Sequence, residues 1–356
     1  MKLHIEPIEA STYSIYFEEN GYEELNELIV RKGYSKIFIL VDENTMNYCY
    51  SKFIQFLDTK LPTETIEIKS GEEHKNIETC NDVWFALTQH EADRKSLMIN
   101  LGGGVITDIG GFVASTYKRG IDFVNIPTTL LSMVDASVGG KTGIDQGILK
   151  NHIGLFADPQ IVIIDISFLD TLNDREIRSG MAEIIKYGMT SSIELLNEVI
   201  NYKDLKYKYL IHESIVIKNQ IVLKDPKENS LRKILNFGHT LGHAIESFYL
   251  DSNLKEPLKH GEAIAIGMVC ETYISSKLLN FQEGKLQEIK EFICSIFGKD
   301  QIDPKNFMDI INLLKYDKKN TNGQVNFVLL HDIESYKLDC KVSEDLIIES
   351  FNYYNA

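Results

Sequence analysis

Short β-branched runs alternate with amphipathic stretches through the first half of this chain, and that alternation leaves few folds open. KIFILV (Lys36–Val41) is followed by a helix-like Asn44–Lys60, then TIEI (Thr65–Ile68), a helix-like Ile77–Glu91 and SLMINL (Ser96–Leu101). Such a sequence pattern means parallel strands joined by crossover helices. FVNIP (Phe123–Pro127) and IVIIDI (Ile161–Ile166) extend the sheet, so residues 1–172 read as a doubly wound, Rossmann-like α/β domain. From Asn173 the texture changes to apolar residues at three- and four-residue spacing, as in Glu176–Tyr187, Tyr207–Leu223, Gly238–Leu250, Gly261–Leu279 and Lys285–Phe297. Residues 173–356 therefore read as a mainly helical domain, with QVNFVLL (Gln324–Leu330) returning as a hairpin with Tyr336–Asp339. Two domains suit a chain of 356 residues, at roughly 100–200 residues each, and a cleft between them is expected.

Charge narrows the function. A formal net charge of −15 opposes binding to phosphate backbones, and no Lys/Arg run overrides it, so a nucleic-acid partner is not expected. An anionic substrate would need cations gathered locally from distant parts of the chain. The five cysteines, an odd number without a CxxC pair, read as reduced residues. The opening MKLHIEPIEA has no apolar signal core and no long apolar stretch follows, so a cytoplasmic protein without a membrane partner is expected.

Leu101-Gly102-Gly103-Gly104-Val105 follows a strand and precedes a helix expected to start near Thr107 or Asp108. Glycines there let a backbone approach a pyrophosphate, and a helix N-terminus offers N–H donors to it. The strict GxGxxG pattern fails at Thr107, which leaves a plain tight turn as the alternative. Asp42 and Glu43 lie beyond the strand ending at Val41, where a carboxylate can bond ribose hydroxyls. Glu72 and Lys75 form an i, i+3 pair after another strand.

Gly238-His239-Thr240-Leu241-Gly242-His243 places two imidazoles one turn apart on one helix face, a common zinc arrangement. His260 opens a later helix, and Glu183 sits in an otherwise apolar helix where a carboxylate needs a partner. A Glu and two His with an open position suit a catalytic metal, and spacing alone favours His239 with His243. Two core histidines bonded to carbonyls are the alternative.

Lys141 stands in a run of small residues, Asp135–Gly143, whose spacing does not meet the P-loop pattern. Lys186 shares a helix face with Glu183. Lys150-Asn151 follows the small-residue run, Lys218, Arg232 and Asn236 lead into the His239 helix, and Asp317-Lys318-Lys319 comes near the C-terminus. Cations clustered on such segments in an acidic protein suit a ligand bearing phosphate and carboxylate.

These motifs resemble those of the 3-dehydroquinate synthases, within the sugar-phosphate cyclases. The blocks are GGGVITDIGGF (Gly102–Phe112), STYKRG (Ser115–Gly120), IPTTLLSMVDASVGGKTGI (Ile126–Ile144), LKNHIGLF (Leu149–Phe156), MAEIIKYG (Met181–Gly188), LRKILNFGHTLGHAIE (Leu231–Glu246), HGEA (His260–Ala263) and DKK (Asp317–Lys319), in family order. The resemblance implies Zn²⁺ or Co²⁺ on Glu183, His239 and His260, and so moves His243 from the metal to the substrate. It implies NAD⁺ on Asp42 or its neighbour Glu43, Glu72, Lys75, Gly103, Gly104, Val105, Asp108, Thr128, Thr129, Lys141, Lys150 and the Phe168–Thr171 segment. It further implies an anionic sugar-phosphate held by Asp135, Lys141, Asn151, Lys186, Lys218, Arg232, Asn236, His243 and either Lys318 or Lys319. Arg119 would reach the neighbouring site of a homodimer. Thr107 replaces a usual glycine, and Pro226 stands where an acidic residue is common.

The implied reaction takes 3-deoxy-D-arabino-heptulosonate 7-phosphate to 3-dehydroquinate and phosphate in the shikimate pathway, a carbon–oxygen lyase step in which NAD is not consumed. A metal-dependent polyol or alcohol dehydrogenase is the rival reading, with another sugar-phosphate cyclase or an aminated substrate analogue beside it. Retention of Asn236, His243 and the late lysines favours a substrate with a carboxylate.

Overall fold

The computed structural model describes residues 5–147, 149–201, 206–252, 257–316 and 325–356. The chain divides into one unit of residues 1–147 and 151–173 and another of 148–150 and 174–356.

The first unit begins with β1 (Ile8–Glu9), β2 (Ser14–Phe17) and α1 (Glu18–Lys32), then β3 (Ile37–Asp42). Short helical turns α2 (Glu43–Thr45) and α3 (Ser51–Phe53) lead to β4 (Thr63–Ile68), α4 (Ile77–Gln89), β5 (Leu97–Gly102), α5 (Gly104–Thr116) and β6 (Asp122–Pro127). A hairpin of β7 (Lys141–Gln146) and β8 (Leu149–Phe156) precedes β9 (Ile161–Ile164). Among the described residues seven strands make one sheet in the order β1-β2-β9-β6-β5-β3-β4, parallel except for the β1–β2 pair. From β3 the chain runs outward to β4, and from β5 it runs the other way through β6 to β9. The topological switch point thus lies between β3 and β5, where open α/β sheets bind ligands at the carboxyl ends of their strands.

Burial on both faces explains the unbroken apolar run of β3. Phe38 and Leu40 join Ile66, Val83, Ile109 and Val113 in a core under α4 and α5. Ile37, Ile39 and Val41, equally buried, point to the opposite face, because successive strand residues alternate. Each such side chain contributes about 1.5–3 kcal/mol relative to exposure.

In the second unit the helices are α6 (Asp174–Ser191), α7 (Ile193–Asn201), α8 (Tyr207–Lys224), α9 (His239–Asp251), α10 (His260–Leu279), α11 (Glu283–Phe297), α12 (Phe307–Leu313) and α13 (Glu344–Asn355). A hairpin of β10 (Phe327–Asp332) and β11 (Ser335–Cys340) completes it, with Leu330 opposite Tyr336. Helix α10 is apolar almost all round and is packed by α6, α9, α11, α13 and β10, the placement expected of a central helix. No helix among the described residues is long and apolar enough to cross a membrane.

Four local expectations need correction. The helix expected over Asn44–Lys60 ends at Phe53 as regular structure, since Pro62 forces the residue before it toward extended backbone and β4 starts at Thr63. Helix α5 starts at Gly104, not near Thr107 or Asp108, with Gly103 as its N-cap. The β7–β8 hairpin lacks a periodic apolar pattern, because most of β8 is exposed or half-buried, and its turn rests on Gly147 at φ +59°. The N-terminal strands and α1 add a sheet edge that begins before Lys36.

Candidate active site

Two glycines bring α9 against α10. Gly238 precedes α9 at φ +77°, in the left-handed region that favours glycine. A Cβ on Gly267 would lie 2.0 Å from the Gly238 carbonyl oxygen, so neither helix could approach the other with a larger residue there. Glu271, fully buried on α10, accepts the Gly238 N–H at 2.7 Å and the Leu241 N–H at 3.1 Å, fixing the start of α9.

This packing gathers the sequence-predicted histidines. His239, His243 and His260 present ring nitrogens all within 4.8 Å of one another. Glu183, on α6 and fully buried, turns Oε1 to His239 Nε2 at 3.4 Å and to His260 Nε2 at 3.6 Å. Among the described residues that oxygen has no hydrogen-bond donor satisfying it, and a buried unsatisfied carboxylate oxygen is costly. The outer ring nitrogens are engaged elsewhere: His239 Nδ1 faces the Phe237 carbonyl at 3.1 Å, and His260 Nδ1 faces Glu246 Oε2 at 3.1 Å. Each ring therefore donates through Nδ1 and turns Nε2 toward Glu183. A carboxylate oxygen and two imidazole nitrogens converging on one point fit a divalent cation of the zinc type. His243 stands beside them, its ring 5.1 Å from that of His239 and 5.7 Å from that of His260.

Electrostatics set the two rings apart. Lys186 is buried on the next face of α6 with its ammonium on Glu183 Oε2. Burial would raise the Glu183 carboxyl, but Lys186 and His239 hold it well below the usual carboxylate range. Burial, reinforced by Lys186, pushes the His239 imidazole down to about 4 against the pull of Glu183. Burial acts the same way on His260, but Glu246 and Glu183 overcome it and carry that ring up to about 10.

Around these residues lie further buried cations, Lys218 on α8 and Arg232 in the turn Leu231–Asn236. Arg232 Nη1 donates to the Pro226 carbonyl at 2.6 Å. Asp225 holds that turn by accepting the N–H groups of Asn229, Ser230 and Arg232 at 3.0, 2.7 and 3.0 Å. Asn236 donates to Glu228 Oε1 at 2.6 Å. Lys150 reaches Glu246 Oε1 at 3.2 Å. Lys318 and Lys319 lie outside the described residues.

In the first unit the residues expected to hold the cofactor cluster at the switch point. Gly103, Gly104, Val105 and Asp108 are the half-buried positions of the α5 start, between buried Ile106, Thr107 and Ile109. No side chain caps that helix, so its first N–H groups are open to an anion. The Thr107 hydroxyl folds back onto the Gly104 carbonyl at 3.1 Å, so the residue replacing the usual glycine does not intrude on the loop. Asp42 ends β3 and engages Thr45 through Oδ1, and burial raises its carboxyl despite those bonds. Glu43 accepts the Ser70 N–H and hydroxyl, both at 2.7 Å.

Lys75 is the centre of a buried polar knot. Its ammonium meets Asp108 Oδ2 at 2.6 Å, Asn151 Oδ1 at 2.6 Å and Glu72 Oε1 at 3.7 Å. Asn151, at φ +52°, also gives its N–H to Asp145 at 2.6 Å. Thr128 and Thr129 follow β6, with the Thr128 N–H on the Gly102 carbonyl at 3.0 Å and Thr129 bonded to Ser132. Phe168 and Thr171 sit in the turn Ile166–Thr171, capped by Asp165. Asp135 is half-buried in the turn Ser132–Ala136, Lys141 opens β7, and Arg119 is exposed at φ +70°.

Sequence reading did not single out Glu246, Asp225, Glu228 or Glu271. Glu246 and Glu271 carry the signal that drew attention to Glu183, a carboxylate within an apolar helical pattern.

A parallel sheet with its switch point at a glycine loop, and a helical unit with a carboxylate–imidazole cluster, define a protein with one α/β unit and one mainly helical unit. The fold matches that of the 2-epi-5-epi-valiolone synthase ValA from Streptomyces hygroscopicus, solved with NAD⁺ and Zn²⁺ bound, at a TM-score of 0.85 and 23% identity over 98% of each chain. It also matches 2-deoxy-scyllo-inosose synthase complexed with carbaglucose-6-phosphate, NAD⁺ and Co²⁺, at 0.83 and 20% identity, covering 98% of this chain and 99% of that one. Residues 65–179 match the 3-dehydroquinate synthase N-terminal family model and residues 180–320 the C-terminal one. A 3-dehydroquinate synthase from Parabacteroides distasonis is 40% identical over 337 residues, 93% of this chain and 94% of that protein. The chain belongs to the 3-dehydroquinate synthase family, a family of lyases.

Proposed function

We propose that the chain converts 3-deoxy-D-arabino-heptulosonate 7-phosphate to 3-dehydroquinate and phosphate, the ring-closing step of the shikimate pathway, as a cytoplasmic homodimer. The observation that carries this reading is the convergence of Glu183 Oε1 with His239 and His260 Nε2 beside the buried Lys186. Glu183, His239 and His260 would hold Zn²⁺ or Co²⁺. NAD⁺ would lie at the switch point, on Asp42 or Glu43, Glu72, Lys75, the Gly103–Val105 loop, Asp108, Thr128, Thr129, Lys141, Lys150 and the Phe168–Thr171 turn. When bound, the nicotinamide supplies a reversible hydride acceptor and the divalent cation a Lewis acid for substrate hydroxyls.

The rest falls to the side chains of the protein. The reaction asks the substrate to lose a C–H proton and phosphate, which would leave with its bonding electrons, and then to close the ring within the same molecule. The residues must therefore hold one molecule through several steps without letting it go. Lys141, Asn151, Lys218, Arg232, Asn236, His243 and a lysine of the Asp317–Lys319 run would clamp carboxylate and phosphate, while Asp135 and Lys186 orient hydroxyls. Burial of Lys186, Lys218 and Arg232 within an acidic protein supports the assignment, because cations shielded from water interact more strongly with an anionic ligand. Arg119 would complete the partner subunit's site.

A phosphate-release assay with the heptulosonate phosphate tests the proposal. Release that stops with a chelator and returns with Zn²⁺ or Co²⁺ is expected; release indifferent to chelation, or no release from the metal-loaded protein, would sink it.

A further inference from the structure

The two imidazoles facing Glu183 are backed unequally. His239 gives its Nδ1–H to the Phe237 carbonyl, a neutral acceptor belonging to its own chain segment. His260 instead meets a carboxylate, Glu246 Oε2, at 3.1 Å. Glu246 lies on α9 and His260 on the first turn of α10, so the contact spans two helices. The side chain of Glu246 is only 7% exposed, too buried to carry its charge alone. Lys150, equally buried, lies 3.2 Å from the other oxygen, Oε1, and offsets that charge. The three groups form a line, Lys150 to Glu246 to His260, that ends at Nε2 facing Glu183.

We infer that Glu246 is a positioning residue for the metal site: it fixes the His260 tautomer and ring orientation and strengthens Nε2 as a donor, with Lys150 as its counter-charge. The reasoning rests on Glu183, His239 and His260 being the ligands. A carboxylate behind a ligating imidazole locks Nδ1–H in place and increases electron density at Nε2, an effect a carbonyl supplies more weakly. Outer partners of this kind change metal affinity by about 10–100-fold when removed. The action of Glu246 on the ion would pass through His260.

Co²⁺ affinity measured by chelator competition, together with the visible d–d spectrum of the bound ion, tests the inference without reference to turnover. Wild type, His260→Ala, Glu246→Ala, Glu246→Gln and Glu246→Asp are compared, each checked for native far-ultraviolet circular dichroism. Glu246→Ala is expected to weaken Co²⁺ by about 10–100-fold and to alter the d–d bands, Glu246→Gln to weaken it less, and Glu246→Asp to recover part of the loss. A folded Glu246→Gln and Glu246→Ala pair with wild-type affinity and spectrum would overturn the role of Glu246 while leaving the ligand set standing. Should Glu246→Ala fail to fold, the Gln and Asp variants carry the same comparison. Wild type that binds no Co²⁺, or His260→Ala that binds it unchanged, would instead overturn the ligand set and the inference with it.

Discussion

Glu183 and His239 face each other across two helices at 3.4 Å, carboxylate Oε1 to imidazole Nε2, without a hydrogen bond to that oxygen among the described residues. A buried pair held this way is explained by a third body between or beside them. Replacing Glu183 with Ala is expected to remove bound zinc and phosphate release together, each by at least a hundredfold, because a Lewis acid contributes several kcal/mol at about 1.4 kcal/mol per decade. Metal stoichiometry by elemental analysis beside the release assay checks it; full zinc occupancy in the variant would break the ligand assignment.

Lys186 has a separable role. Its ammonium is the other partner of Glu183, so Lys186→Met should leave metal content near wild type while lowering kcat by about 10²–10³, the range for a lost electrostatic contact to reacting oxygens. The metal-free variant should also melt lower than the metal-free wild type, since Glu183 then lacks its counter-charge, and Co²⁺ should narrow that gap. Thermal denaturation with and without Co²⁺ measures both.

Lys75 predicts a defect confined to the cofactor. Its contacts with Asp108, Glu72 and Asn151 tie three segments of the sheet unit together. Lys75→Met should cost about 3 kcal/mol of stability, as expected when a buried charge loses its partner, and should raise the Kd for NAD⁺. Calorimetric titration with NAD⁺ and with Co²⁺ discriminates: Co²⁺ binding should be unchanged.

Asp225 gives a pH signature. Burial would raise its carboxyl, but the N–H groups of Ser230, Asn229 and Arg232 hold it below its ordinary 3.8. A carboxyl depressed in the folded state stabilises above its unfolded value, and the benefit disappears as pH falls through the folded value. Asp225→Asn should therefore destabilise the protein at neutral pH by about 1.5–3 kcal/mol, the scale of hydrogen bonds to a charged group, and progressively less below pH 3.8. Denaturant unfolding across that range tests the sign; a deficit that persists unchanged into acid would contradict it.

The architecture was legible where burial imposes a period. Strand β3 is buried on both faces and reads as an unbroken apolar run, and α10 declares itself by being apolar all round. The β7–β8 hairpin was not legible, because its strands carry Lys141, Asp145, Lys150 and Asn151 and their burial follows no regular period. At the cluster, spacing within one helix pairs His239 with His243, and the structure gathers both with His260 while setting Glu183 Oε1 against His239 and His260. No local pattern encodes that arrangement, since Glu183, His239 and His260 stand on three helices brought together by close backbone packing, α9 on α10 at Gly238 and Gly267 and α6 on α10 at Ser179 and Gly261. Glu246 and its pairing with Lys150 escaped for the same reason: Glu246 reads as an ordinary charge until Lys150 and His260 are beside it.

The central claim is a ring closure in which hydride is borrowed and returned, and its most direct test follows phosphate and NADH absorbance together in one reaction with the heptulosonate phosphate, catalytic NAD⁺ and Zn²⁺. Phosphate should appear over many turnovers while NADH never exceeds the enzyme concentration. Steady NADH accumulation in step with substrate loss, without phosphate, would show a dehydrogenase and contradict the account.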